Sequence, residues 1–326
     1  TVLACPGSGK TRVLSERAVR LLSTHDKGRL CAVTFTRDAA AELKSRILPS
    51  CNQDVGRRLA VGTFHSIALS QLKRLPRRYK PKRLLAEGER LALLRRCLDQ
   101  HPIEASFDDV LRFIDGAKAR MRIPVAPDPD FEVIYSIYQE TLATEDAMDF
   151  ADIVLSVVQK MHTRELPPLP IRWLLVDEAQ DMDEVQMEWV KAHGLSGIEV
   201  SLVGDDDQSL YAFRHALGYL GLTDVSSTLV STETTLPLNY RCAPNILAHS
   251  AKLIAHNKVR APKRIEAFRT APGELQVIRA SDRWDEAEIL QDRIMMFGIG
   301  SEWGVLGRTN NLLDAVEISL SGASIP

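Results

Sequence analysis

Short apolar runs that break off into polar residues recur along this chain. Val2-Leu3-Ala4 leads into a glycine-rich turn, and Leu30-Cys31-Ala32-Val33-Thr34-Phe35 leads into Thr36 and Arg37. Trp173-Leu174-Leu175-Val176 ends in Asp177 and Glu178, and Val200-Ser201-Leu202-Val203 ends in Gly204 and Asp205. Runs this short, bounded by turn signals, read as buried strands. Segments with helical spacing lie between them: Arg12–Leu22, Ala39–Ile47 and Asp183–Ala192. Strands alternating with helices predict an α/β fold with a parallel sheet flanked by helices.

The pattern changes between residues 82 and 148. Leu84, Leu85, Leu91, Leu93, Leu94 and Leu98, then Val110–Ala119 and Phe131–Leu142, suggest helices, with a break at Pro124, Pro127 and Pro129. This reads as a helical insertion. A second break, Pro167-Pro168-Leu169-Pro170, restores the α/β pattern. From about residue 236 a new unit is expected, with helices Pro244–His256 and Trp284–Met296 and strands Leu275–Ala280 and Val305-Leu306. The organisation is therefore 1–81, 82–148, 149–235 and 236–326, the first and third segments forming one domain. The chain opens on Thr1, directly on a motif, and is read as part of something longer.

Composition narrows the class. Hydrophobic residues make up 45% and charged residues 26%, as in an ordinary globular protein. No apolar stretch is long enough for a membrane span, and no signal peptide is evident. The spacing of Cys5, Cys31, Cys51, Cys97 and Cys242 fits neither a zinc site nor a disulfide framework, which points to reduced thiols and a cytoplasmic setting. Net charge is −2, but it is unevenly spread, with a basic first third. Its densest cluster is Lys73, Arg74, Arg77, Arg78, Lys80, Lys82 and Arg83, equally readable as a solvated face or as a polyanion contact.

Four constellations carry chemistry. Ala4-Cys5-Pro6-Gly7-Ser8-Gly9-Lys10-Thr11 has the form of a phosphate loop between a strand and a helix. Glycines let backbone N–H groups face phosphates, Lys10 can reach the β- and γ-phosphates, and the Thr11 hydroxyl can ligate magnesium. Asp177 is suited to hold magnesium and Glu178 to polarise the attacking water, so ATP and Mg²⁺ are the expected cofactors. Gln208, in Gly204-Asp205-Asp206-Asp207-Gln208, is suited to read a γ-phosphate, and Phe213, just beyond, to stack on a base. Asn239-Tyr240-Arg241 offers an arginine that can act in cis on transition-state charge.

Taken in order, these blocks resemble the UvrD/Rep/PcrA family of superfamily 1A helicases. Ala4–Thr11 resembles motif I, Thr34-Phe35-Thr36 with Ala39–Leu43 motif Ia, and Gly62-Thr63-Phe64-His65-Ser66 the next DNA-contacting block. Asp149-Phe150-Ala151-Asp152 resembles the helix start before motif II, Asp177–Asp181 motif II, Gly204–Arg214 motif III and Asn239–Arg241 motif IV. The resemblance implies a P-loop NTPase with a RecA-like sheet, a helical 1B insertion and the start of a second RecA-like domain. It implies that Lys10, Asp177, Glu178, Gln208 and Arg241 serve ATP hydrolysis and that Tyr240 stacks on adenine. Thr34, Phe35, Thr36, Thr63, Phe64, His65 and Phe213 would line a path for single-stranded DNA, with duplex junctions as further substrates and 3′→5′ movement. Nothing after Arg308-Thr309-Asn310 matches motifs V and VI, so weak or no unwinding is expected of this stretch alone. Two alternatives stay open: a nucleic-acid-binding module whose ATP site is regulatory or inactive, and the helicase half of a recombination helicase–nuclease.

Overall fold

The computed structural model describes residues 1–51, 53–75, 82–122, 129–211, 213, 215–298 and 303–325. Arg77, Arg78 and Lys80 of the basic cluster, Pro124, Pro127, Ala212 and Arg214 lie outside these described residues.

Strands β1 (Val2–Ala4), β2 (Leu30–Thr34), β3 (Leu59–Thr63), β6 (Trp173–Val176), β7 (Glu199–Gly204) and β8 (Thr234–Leu236) form one sheet in the order β3-β2-β6-β7-β1-β8. Every pairing in it is parallel. β2 and β6 sit centrally and are buried along their whole length. That is why their sequences are continuous apolar runs rather than alternating ones. Helices α1 (Lys10–Thr24), α2 (Arg37–Ile47), α3 (Gln53–Gly56), α4 (Phe64–Leu72), α8 (Asp152–His162), α9 (Glu184–Leu195) and α10 (Gly218–Thr228) accompany the sheet.

Two hydrophobic clusters follow from this layering. Leu14, Ala18 and Leu22, one face of α1, pack with Leu30, Ala32, Leu43, Ile47 and Leu175. Cys31, Val33, Leu174 and Val176 point the other way, into a cluster with Phe64, Val154, Val158 and Trp189. Alternate residues of one strand thus supply both cores. Side chains set the helix starts. The Thr36 hydroxyl accepts from Ala39 N at 3.1 Å, Thr63 from Ser66 N at 3.2 Å and Asp183 from Gln186 N at 2.8 Å.

Helices α5 (Glu87–Gln100), α6 (Phe107–Ala119) and α7 (Asp130–Thr144) have a core of their own, including Leu94, Cys97, Ile114, Ile134 and Tyr138. Short strands β4 (Arg83–Leu84) and β5 (Ala147–Met148) pair in parallel at the two ends of this segment. β9 (Leu238–Asn239) pairs with β10 (Glu266–Ala267), with α11 (Pro244–Ile254) between them.

Contacts divide the chain into Thr1–Gly273 and Glu274–Pro326. The second unit contains α12 (Arg283–Phe297) and α13 (Asn310–Gly322), packed on each other around Ala287, Ala315 and Val316. The strands expected at Leu275–Ala280 and Val305-Leu306 are not formed among the described residues. Val277 and Leu306 are almost fully exposed. An apolar run becomes a strand only where a neighbour completes its hydrogen bonds, and among the described residues no strand pairs with these. No helix among the described residues is long and apolar enough to cross a membrane.

Candidate nucleotide site and nucleic-acid face

In a parallel sheet ligands bind beyond the carboxyl ends of the strands, and here those ends carry the polar residues. β1 opens into the loop Cys5–Gly9. Gly7 (φ +63°) and Gly9 (φ +85°) take the left-handed conformation, which side chains disfavour. A Cβ on Gly7 would come within 2.7 Å of Arg241 Cβ, so glycine is also what lets Arg241 approach. Gly9 caps α1, leaving the helix N-terminus open towards the loop.

Lys10 lies at the centre, nearly buried. Its Nζ donates to Glu178 Oε2 and to Gln208 Oε1, each at 3.0 Å. The Thr11 hydroxyl donates to Asp177 Oδ2 at 3.2 Å. Burial, reinforced by the Glu178 charge, pushes the Asp177 carboxyl up to about 6, and the same causes raise Asp181 to about 6. Glu178 itself has φ +50°, a strained conformation for a residue with a side chain, and such strain concentrates at functional positions. Gln180 ties the acidic segment to the next strand: its Nε2 donates to Glu178 Oε2 at 2.9 Å and its Oε1 accepts from Asp205 N at 2.9 Å.

Asn239 fastens β9 to the loop. Its Nδ2 donates to Pro6 O at 2.6 Å, its Oδ1 accepts from the amides of Arg241 and Cys242, and Tyr240 N donates to Gly7 O at 3.0 Å. Tyr240 is half exposed and lies against Phe268, with ring centroids 4.8 Å apart. The result is a cleft of about 500 Å³ lined by Gly7–Arg12, Glu42, Arg46, Glu178, Gln208, Tyr240 and Arg241. Ala4 and Cys5 lie buried beneath it. The donor set suits a polyphosphate with a divalent cation: open backbone amides and a lysine for phosphate oxygens, and a hydroxyl beside a carboxylate for the metal. Nothing in the sequence points to Arg12 or Arg46 as site residues, and Glu42 stands out only within the block that resembles motif Ia. Arg46 and Glu42 form an i,i+4 pair on α2 that reads as an ordinary surface contact until the fold turns it towards the cleft.

A second pocket, of about 580 Å³, opens on the same edge of the sheet. Thr34, Phe35, Arg37, Thr63, Phe64, His65, Phe150, Asp181 and Asp183 line it. His65 stacks on Phe150 at 3.9 Å, and burial pulls the imidazole down to about 4, so it is neutral at ordinary pH. Phe35 stacks on Tyr211 at 5.2 Å, and Tyr211 lies 5.9 Å from Phe213, which is 74% exposed. Phe35 and Phe213 thus join one aromatic row through Tyr211, a ring whose place in the row the sequence pattern does not reveal. Phe64 also lines this pocket, but it is 3% exposed and packs against Trp189 with the two rings nearly perpendicular, so most of it belongs to the core. Thr34 is also buried, its hydroxyl donating to Thr36 O at 3.0 Å, and Thr36 is an exposed helix cap.

Residues 1–219 match the family model described as the UvrD/REP helicase N-terminal domain. The chain belongs to this family. It is 31% identical to a DNA helicase II of Haemophilus influenzae, the match covering the whole chain and 48% of that relative. It is 29% identical to an ATP-dependent DNA helicase PcrA of Leuconostoc citreum, again over the whole chain and 47% of the relative. To the ATP-dependent DNA helicase Rep of Escherichia coli it is 31% identical, over 88% of the chain and 46% of the relative. The chain spans about half the length of the curated relatives it matches. Its six-stranded parallel sheet with flanking helices accords with a RecA-like P-loop helicase domain.

Proposed function

We propose that the chain is the nucleotide-binding part of an ATP-driven DNA helicase, and that its second pocket and aromatic row hold single-stranded DNA. The observation that carries this is the convergence on Lys10. Its ammonium bonds at once to Glu178 and to Gln208, and the loop bearing Gln208 continues into Tyr211 and Phe213. One short segment therefore touches both the phosphate cradle and the row of rings.

Lys10 and the amides of the Gly7–Gly9 loop would hold the ATP phosphates. Thr11 and Asp177 would hold Mg²⁺, which when bound supplies charge neutralisation at the phosphates. A phosphate taken up by Lys10 replaces one of its present acceptors and frees the Glu178 carboxylate to orient the attacking water and accept its proton. Arg241 adds positive charge to the transferring phosphoryl group, and Tyr240 offers a face for adenine. Gln208 reports the γ-phosphate to the rings. Bases stacking there would each contribute about 1–3 kcal/mol, with little sequence preference.

For the whole protein we propose 3′→5′ strand separation in repair, replication or recombination, with duplex junctions as substrates, 82–148 acting as a helical insertion and 236–326 opening a second motor domain. For the 326-residue chain we expect nucleotide and single-strand binding with weak or no unwinding.

The decisive test is magnesium-dependent ATP hydrolysis with and without single-stranded DNA, with Lys10→Ala as the blank. Stimulation by DNA that Lys10→Ala abolishes supports the coupled site. ATP binding and turnover unchanged in Lys10→Ala would remove Lys10 from the phosphate cradle and with it the convergence on which this reading rests.

A further inference from the structure

Three consecutive carboxylates, Asp205, Asp206 and Asp207, lie within reach of a common point, as metal ligands do. That point is already filled. The Lys263 side chain is 1% exposed, and its ammonium bonds to Asp205 Oδ1, to Asp206 Oδ1 at 2.7 Å, and to Ala4 O at 3.0 Å, and lies 3.1 Å from Asp207 Oδ2. The same segment adds a bidentate grip on Asp207 by Arg260, at 2.9 and 2.7 Å, and Ala261 N donates to Asp206 Oδ2 at 2.7 Å. Burial works against the lysine charge, but Asp205 and Asp206 outweigh it and hold the Lys263 pKa above its usual value.

The three acids form the turn that ends in Gln208, whose amide oxygen meets Lys10. Their side-chain oxygens are buried, and unpaired they would repel one another and open the turn. The Ala4 carbonyl ends β1, where the strand enters the phosphate loop, so one ammonium spans the start of that loop and the turn carrying Gln208.

We propose that Lys263 is a positioning residue for the nucleotide site: by gathering Asp205, Asp206 and Asp207 against Ala4 it sets where Gln208 presents its amide beside Lys10. The inference rests on the reading of that cleft as an ATP site with Gln208 at the γ-phosphate. Lys263 touches no phosphate itself. Its loss therefore acts through Gln208, on nucleotides that carry a third phosphate.

The test is equilibrium binding of Mg-ADP and of an imido-bridged, non-hydrolysable ATP analogue to the 326-residue chain and its variants. Lys263→Met is expected to lose about tenfold in analogue affinity, the scale of one charge-assisted hydrogen bond, while ADP affinity changes less than about twofold. Gln208→Ala should give the same selective loss, and the double variant no further loss, because both remove one interaction. A merely structural role for Lys263 would weaken both nucleotides together, and that result, or additive losses in the double variant, overturns the proposal. Should Lys263→Met not fold, Asp206→Asn removes one acceptor charge without stranding another, and a smaller loss confined to the analogue is then expected. Equal loss of both nucleotides in Asp206→Asn overturns it as well. A wild-type chain that binds neither nucleotide fails the reading of the cleft itself, before any variant is compared.

Discussion

Lys10 bonds to Glu178 and Gln208 at the same distance, and that sharing gives each residue a separable role. Glu178→Gln keeps the shape and a hydrogen-bond acceptor but removes the base. Turnover is expected to fall by about 10²–10⁴-fold, with nucleotide affinity nearly kept. Equal turnover in a single-turnover assay would remove Glu178 from that role. Asp183 makes a different prediction. Burial pushes its carboxyl up to about 7, while its side chain caps α9 through Gln186 N. An acid whose pKa is higher folded than unfolded binds its proton more tightly in the folded state. Its ionisation therefore costs stability, and the cost grows as pH rises from about 4 to about 7. Asparagine keeps the cap and has no charge to bury. Thermal melts of Asp183→Asn against wild type should thus match near pH 4 and favour the variant by a few degrees at pH 8. A difference independent of pH would mean that Asp183 does not titrate as its burial requires.

Among the elements, the start of α8 joins the helical segment to the second pocket. Asp149 N bonds to Asp152 Oδ2 and Asp152 N to Asp149 Oδ1, a reciprocal pair that fixes the turn holding Phe150 against His65. Lys118 of α6, fully buried, donates to Asp149 at 2.6 Å and lies 2.7 Å from Asp152, and Tyr138 OH donates to Asp149 at 2.9 Å. Removing one partner of a buried ion pair strands the other. Lys118→Met should cost about 3–5 kcal/mol in urea unfolding and weaken single-strand binding by displacing Phe150. A loss below about 1 kcal/mol would show that water reaches the acids and that the link is slack. How legible these elements were depended on where their partners lay in the chain. β2, β6 and β7 could be read because each apolar run ends in the polar residues it delivers to the site. β3, with Gly62 and Thr63 in a short half-buried strand, gave a weak signal. Lys118, Arg260 and Lys263 gave none, because their acids lie tens of residues away and a lysine outside a motif looks like surface. The expected strands at Leu275–Ala280 and Val305-Leu306 did not form for the opposite reason: local hydrophobicity was present, but among the described residues no strand pairs with them.

At the scale of the whole chain, the two contact units differ in how they are held together. Thr1–Gly273 contains a six-stranded sheet whose central strands are buried on both faces, and three of the hydrophobic clusters. Glu274–Pro326 has one small cluster around Ala287, Ala315 and Val316, while Trp284, Met295, Met296, Phe297 and Leu312 are exposed. Burial of apolar area is the main favourable term in folding, and segments near 50 residues bury little of it without outside help. The second unit should therefore open at a much lower free energy than the first. Amide hydrogen exchange followed by mass spectrometry reads this directly. Peptides from α12 and α13 are expected to exchange within seconds to minutes, and those from β2 and β6 to stay protected until global unfolding, with Mg-ATP slowing exchange at Gly7–Thr11 and Asp205–Gln208. Protection in α12 and α13 equal to that of β2 would mean either that the exposed apolar side chains are covered in solution by a second copy of the chain or that the unit is stable by itself. A protection that rises with protein concentration would separate that case from intrinsic stability of the unit.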